Sequence, residues 1–223
     1  MSSRHPSSDR EARSVKILGI VGSPRQRANS TALLEQFLSG AQAEGAETQA
    51  IRPWEKRIGP CLACDGCYRD GRCVVRDDFQ SVYDLILDSD ALALATPVYF
   101  GAVSAQAKPL IDRCQCFWAM RDVVKATMPP GPAGDQRRGV LIATAGQAHE
   151  AMFDGVRATF RYLMRSLRGQ VFAELLYGGY DERGAILIRR EAMDRAYNVG
   201  RWLALGLEPE EAFPYRKRST DWR

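Results

Sequence analysis

Apolar residues along this chain alternate between two rhythms. Val15 to Val21 (VKILGIV) is a continuous apolar run with β-branched residues, closed by Gly22-Ser23-Pro24, and it predicts a buried strand followed by a loop. Leu33, Leu34, Phe37, Leu38 and Ala41 then recur at helical spacing, so a helix with one apolar face follows. Gly45 lies past its end, and a short strand runs from Glu47 to Ile51. After an irregular stretch, Asp77 with Gln80 three residues on marks a helix N-terminus. That helix presents Phe79, Val82, Tyr83, Ile86 and Leu87 to the core. Ala91 to Ala95 is another buried strand, and a helix from about Ser104 carries Ala107, Leu110, Ile111 and Cys114. Met128 to Gly134, with three prolines and two glycines, is a loop. A strand over 139–143, a loop over 144–147, a helix over 150–167, a strand over 170–177 and a helix over 189–205 complete the pattern. Five strands alternating with five helices, the strands apolar throughout, predict an α/β fold: a parallel sheet with helices on both faces.

A chain of 223 residues can bury a full core and suits one large domain, which we delimit to residues 15–207. Residues 1–14 are polar and charged and are expected to be a disordered tail. Residues 208–223, with Arg216, Lys217, Arg218 and Arg223, read as a second solvated tail. The net charge of +4 comes from scattered basic residues, which speaks against nucleic-acid binding. No apolar run approaches the length of a membrane span. The N-terminal residues hold no secretory-type apolar segment, so a cytoplasmic protein is expected. There its six cysteines read as metal ligands or redox groups rather than disulfides.

Four of those cysteines, Cys61, Cys64, Cys67 and Cys73, stand in the pattern C-x2-C-x2-C-x5-C within one loop, residues 60–74. Three thiols at three-residue steps can aim at one centre, and a fourth beyond a Gly-containing turn can close the coordination. This is the ligand logic of an iron–sulfur cluster. Zinc more often takes two separated C-x2-C pairs, and the ferredoxin run C-x2-C-x2-C-x3-C-P is absent; zinc and a metal-free loop stay open as alternatives. Cys114 and Cys116 lie two apart on a predicted helix, point to different faces, and read as packing residues. Lys108 and Asp112, four apart, predict a helix-surface pair. With His5 and His149 as the only histidines, a multi-histidine metal site is excluded, and His149 reads as solvated. No Ser-His-Asp or paired-carboxylate constellation appears, so no side chain is expected to be an essential catalytic acid, base or nucleophile.

In an open parallel sheet, ligands bind beyond the carboxyl ends of the strands, where strand order reverses. Loops 22–31, 96–101 and 144–147 and the cysteine loop all belong to that edge. Loop 22–31 reads GSPRQRANST and opens a helix; its hydroxyls, amide, two arginines and free helix N–H groups form a phosphate nest. It is neither G-x-G-x-x-G nor a P-loop, so a mononucleotide phosphate fits better than a dinucleotide or a nucleoside triphosphate. The alternative is that Asn29 or Ser30 only caps the helix.

A strand followed by G-S-P-R…N-S-T, then T-P-V-Y-F-G, then K-P-L-I-D-R resembles the NAD(P)H-dependent FMN reductase branch of the flavodoxin-like superfamily. With the cysteine motif between them, the chain looks more narrowly like the iron–sulfur flavoproteins. Specific motifs carry the resemblance from Val15 to Trp118, and the αβ pattern alone carries it beyond. It implies a flavodoxin-like three-layer sandwich, its five parallel strands in the order 2-1-3-4-5. It implies an FMN phosphate held by Ser23, Arg25, Asn29, Ser30 and Thr31, and an isoalloxazine ring wrapped by Thr96, Pro97, Val98, Tyr99, Phe100 and Gly101. Tyr99 and Phe100 could each serve the core instead of the ring. Thr144 and Gly146 would lie on the far side of the flavin. Cys61, Cys64, Cys67 and Cys73 would bind a [4Fe–4S] cluster.

The function so implied is an FMN-dependent oxidoreductase passing electrons from a reduced donor, NAD(P)H or a ferredoxin-like protein, to an acceptor. Homodimers or homotetramers are expected, with a redox protein or small molecule as partner and neither nucleic acid nor membrane. The alternatives are a cluster-free NAD(P)H-dependent FMN or quinone reductase, a flavodoxin-like carrier or redox sensor without turnover, and a zinc-stabilised binding module.

Overall fold

Strands that are apolar on both sides need cover on both sides, and the sheet has it. In the computed structural model, which describes residues 14–127 and 136–209, five strands run parallel: β1 (Lys16–Val21), β2 (Glu47–Ile51), β3 (Ala91–Pro97), β4 (Arg138–Ala145) and β5 (Gln170–Gly178). Their order is β2-β1-β3-β4-β5, as the flavodoxin-like resemblance implies. The expected loop at 128–134 lies outside the described residues, as do the two tails apart from residues 14, 208 and 209.

Alternate residues of each strand enter opposite layers. Leu18, Ile20, Leu92, Leu94 and Leu141 pack under α2 (Phe79–Leu87), α3 (Lys108–Arg113), α4 (Gln115–Trp118) and α5 (Asp154–Ser166). Ile17, Val21, Ala91, Ala93, Ala95, Val140 and Ile142 face α1 (Asn29–Ala43) and α6 (Arg190–Leu205). The two helices of that second layer approach backbone to backbone. A Cβ on Gly40 would lie 1.9 Å from the Tyr197 carbonyl oxygen, and one on Gly200 would lie 1.9 Å from that of Phe37. Only glycine permits this contact.

Two helices differ from the apolar pattern. The helix expected from Ser104 begins at Lys108, with Pro109 in its first turn, where its missing N–H costs nothing. It breaks at Cys114, and a π-helical segment, Ala119–Val123, follows α4. The helix expected over 150–167 starts as a 3₁₀ turn, Glu150–Phe153, before α5. At that junction Gly155 packs so closely on the turn after β3 that a Cβ would lie 2.1 Å from the Gly101 carbonyl oxygen. Lys108 and Asp112 form the expected surface pair at 2.8 Å. Among the described residues, no helix is long and apolar enough to cross a membrane.

Candidate functional site at the carboxyl edge of the sheet

Strand order reverses between β1 and β3, and the loops leaving these strands are stitched together there. The Gly22 N–H donates to the Ala95 carbonyl (2.6 Å), and the Ser104 hydroxyl donates to the Gly22 carbonyl (2.5 Å). The Val98 N–H reaches the Thr144 carbonyl (2.8 Å), and the Tyr180 N–H reaches the Ala145 carbonyl (3.0 Å), so the loops after β3, β4 and β5 join the same wall. Between them opens a cleft of about 130 Å³. Its lining includes Ser23, Arg25, Asn29, Ser30, Pro97, Val98, Tyr99, Thr144 and Gly146, nine of the thirteen residues that the sequence assigned to a flavin.

The cleft meets the start of α1, a helix with no side-chain cap: Ala28 occupies the N-cap position. Its first N–H groups are therefore free to bind an anion. The Ser30 and Thr31 hydroxyl oxygens are buried there without a hydrogen-bond partner. Buried polar atoms are almost always paired, so orphan hydroxyls at a helix N-terminus have room for acceptor oxygens; of the two, Ser30 lines the cleft and Thr31 adjoins it in the helix. Arg25 and Arg183 bring positive charge to the lining, and Arg25 is steadied by donating to the Asp181 carbonyl (3.2 Å).

Four of the thirteen do not line the cleft. Thr31 contributes only near the helix start. Thr96 is fully buried, and its hydroxyl accepts from the Ser104 N–H (3.1 Å) while donating to the Pro97 carbonyl (2.9 Å), so it braces the loop. Phe100 and Gly101 form the tip of a tight turn, with φ of 51° and 72°, closed by paired Tyr99–Ala102 backbone hydrogen bonds. The left-handed conformation is costly for a phenylalanine, and Phe100 is nonetheless fully exposed, which excludes a core role. Tyr99 is 38% exposed and likewise outside the core.

The Asn29 amide is fully engaged within the protein. Its Nδ2 donates to the Tyr180 (3.2 Å) and Glu182 (2.9 Å) carbonyls, and its Oδ1 accepts from the Ile186 N–H (3.1 Å). The side chain therefore ties α1 to the loop after β5 and is not available to a phosphate. That loop supplies lining residues absent from the sequence reading: Tyr180, Asp181 and Arg183. The glycines at 178, 179 and 184 framing them were the available signal, because they mark a loop on the same carboxyl edge. His149 is exposed nearby.

The cysteine loop leaves β2 on that edge and packs on segment 113–123. Ala63, Asp65 and Gly71 take left-handed φ values of 49°, 56° and 76°, turning the chain between successive cysteines. The Gly71 N–H donates to the Cys67 carbonyl (2.8 Å), and Gln80 donates to the Cys73 (3.2 Å) and Val75 (2.7 Å) carbonyls. The buried Tyr83 hydroxyl donates to the Gly71 carbonyl (3.3 Å), and burial pushes its pKa up to about 12. A Cβ on Gly71 would lie 2.6 Å from that of Met120, so the loop seats directly on the π-helical segment.

All four motif cysteines are free thiols: Cys61 and Cys64 are exposed, whereas Cys67 and Cys73 pack against the core. Burial first, then the proximity of Cys73, Cys61 and Cys64, pushes the Cys67 thiol up. Among the described residues, no three His, Cys, Asp or Glu side chains gather round a single-ion site. The donor set, four soft thiols on one short loop, fits an iron–sulfur group. Cys114 and Cys116 are buried, as packing residues should be, and burial raises both thiols.

Arg113 anchors the loop. Its side chain is fully buried, and it grips the Asp77 carboxylate with both terminal nitrogens (2.8 and 3.1 Å). Burial raises the Asp77 pKa, but hydrogen bonds from Arg113, Gly59 and Phe79 outweigh it and leave the carboxyl below its usual range. Asp77 does cap the turn into α2, through the Phe79 N–H (3.0 Å). The Gln80 side chain does not reciprocate as a capping box would, because it is committed to the cysteine loop.

Comparison with known proteins gives the family of the chain. The profile of the family described as "NADPH-dependent FMN reductase" matches residues 15–174. An iron–sulfur flavoprotein of Methanosarcina thermophila is 32% identical over 142 residues, covering 62% of this chain and 73% of that protein. One from Methanocaldococcus jannaschii is 40% identical over 99 residues, covering 44% of this chain and 51% of that protein. The chain spans about half the length of several curated relatives that it matches. A solved NAD(P)H:quinone oxidoreductase from Methanothermobacter marburgensis shares the fold, with a TM-score of 0.60 at 20% identity over 86% of this chain and 98% of that one.

Proposed function

The chain belongs to the NADPH-dependent FMN reductase family, and from that premise we propose that it is an FMN-dependent oxidoreductase of the iron–sulfur flavoprotein kind. It would pass electrons between a reduced donor, NAD(P)H or a ferredoxin-like protein, and an acceptor. The observation that carries the flavin half is the pair of buried, partnerless hydroxyls of Ser30 and Thr31 at the uncapped start of α1. An FMN phosphate would give both hydroxyls acceptor oxygens, with the helix N–H groups and the Arg25 and Arg183 guanidiniums balancing its charge. Pro97, Val98, Tyr99, Thr144 and Gly146 would border the ring, with Phe100 and Gly101 overhanging it from the turn. FMN exchanges electrons in pairs as hydride or singly, and a [4Fe–4S] cluster exchanges them one at a time.

Cys61, Cys64, Cys67 and Cys73 would hold the cluster. The exposed pair, Cys61 and Cys64, would face a redox partner, and the packed pair would face the protein. The chain's own residues position both groups and exclude water from one side of each; none is needed as acid, base or nucleophile. A homodimer or homotetramer would cover the exposed turn at Phe100.

Anaerobic steady-state oxidation of NADH and NADPH with FMN, quinones and one-electron acceptors tests the activity. Turnover with at least one acceptor is expected. Bound FMN with no turnover on any acceptor would instead identify a flavodoxin-like carrier. The exposure of Cys61 and Cys64 favours one rival, a cluster-free flavin or quinone reductase, which iron and acid-labile sulfide analysis separates.

A further inference from the structure

Arg113 has five N–H donors, and all five are engaged on the cysteine loop and its neck. Nη1 donates to Asp77 Oδ2 (2.8 Å) and to the Gly59 carbonyl (3.2 Å). Nη2 donates to Asp77 Oδ1 (3.1 Å) and to the Val75 carbonyl (3.1 Å). Nε donates to the Sγ of Cys73 (3.1 Å). The guanidinium also lies 4.6 Å over the Phe79 ring. The four terminal N–H groups satisfy the buried ion pair and close the loop's neck, so structure alone is served without Nε. The fifth donor goes to a sulfur. A protonated thiol is a weak acceptor, whereas a thiolate accepts a charge-assisted hydrogen bond from guanidinium. Because Asp77 already balances the arginine's charge, this contact reads as directed at one sulfur rather than as general attraction for anions.

We propose that Arg113 is a positioning residue for the Cys73 sulfur: its Nε–H fixes that sulfur's orientation and draws electron density from it. The redox group bound there is thereby held at a higher reduction potential than a cysteine without this donor would set. This rests on the cluster reading above. A hydrogen bond to a ligand sulfur favours the more negatively charged, reduced state. Cys61 and Cys64 are exposed, so of the four sulfurs that would hold the group, the one at Cys73 takes the arginine's hydrogen bond.

The test compares anaerobically purified wild type with Arg113→Lys and Arg113→Gln, each assayed for iron and sulfide per chain. The midpoint potential is followed by EPR-monitored titration, and the iron–cysteine stretches by resonance Raman. Arg113→Lys keeps a cation but loses the planar fork. Both variants are expected to shift the potential downward and the iron–cysteine stretch to higher frequency. In the wild type, ENDOR of the reduced cluster should show a coupled exchangeable proton that is slow to wash out in D₂O, because Arg113 is buried. This measurement decides the matter if either variant fails to fold or loses iron. Full iron with unchanged potential and stretches, or no such proton, overturns the proposal and leaves the cluster reading standing. Wild type without iron overturns both.

Discussion

At the start of α1 the backbone is fixed and the side-chain polar atoms wait without partners. In the cysteine loop one end is pinned and the other is open. Ser30 and Thr31 sit at the start of a helix beside walls stitched by hydrogen bonds among four loops, so their surroundings are held by protein contacts alone. Cys67 and Cys73 lie against the core under Arg113, but Cys61 and Cys64 are exposed beyond two left-handed turns. Secondary structure alone can prepare a phosphate site, because a helix N-terminus is already a set of converging donors. A sulfur site has no such backbone device, so the cysteine loop leans on side chains such as Arg113, Gln80 and Tyr83 and on whatever its own thiols bind.

The largest test of this contrast is Cys67→Ser. Iron is expected to fall to nearly nothing while FMN binding stays within about twofold, since the two sites share no side chain. Loss of both would show that the sites are one folding unit. Next in size is Asp77→Asn, which leaves the Arg113 guanidinium buried and uncompensated. Urea denaturation at pH 7 should show a loss of about 3 kcal/mol. The Asp77 carboxyl is held below its unfolded value of about 3.9. Its stabilisation is therefore complete above that value and is lost as pH falls through the lower folded value. Wild type and Asp77→Asn should converge in acid, and a gap that persists there would contradict the assignment.

The double change Ser30→Ala with Thr31→Ala removes both waiting hydroxyls. FMN affinity by fluorescence titration should weaken about tenfold to a hundredfold, with iron content unaffected. Affinity unchanged by it would place the phosphate elsewhere. The smallest effect belongs to the exposed Arg25. Arg25→Ala should weaken FMN only a few-fold, and less at high salt, because its charge is largely screened.

Most of the fold was legible because it follows from local rules. Strand runs such as Val15–Val21 and Ala91–Ala95 are apolar on both faces, and that alone implies a covered parallel sheet. Loop 22–31 stood out because hydroxyls, an amide and two arginines gather just before a helix, and the structure puts most of that cluster in one cleft. The amide contacts of Asn29 were not legible, because its short side chain serves a neighbour 151 to 157 residues away, a contact that no local pattern encodes. Tyr180, Asp181 and Arg183 were missed because a glycine-framed loop looks the same whether it lines a cleft or not. Nothing near Arg113 in the chain announces Cys73 as its partner, because that pairing exists only once α3 packs beside the loop.

The central claim is that one chain carries a flavin at the start of α1 and a cluster in the cysteine loop. Its most direct test is the joint content of FMN, iron and acid-labile sulfide in protein purified without oxygen, with the absorption spectrum of the same sample. The account predicts about one FMN, four iron and four sulfide per chain, and a broad cluster band beneath the flavin peaks. Stoichiometric FMN with no iron or sulfide would contradict it.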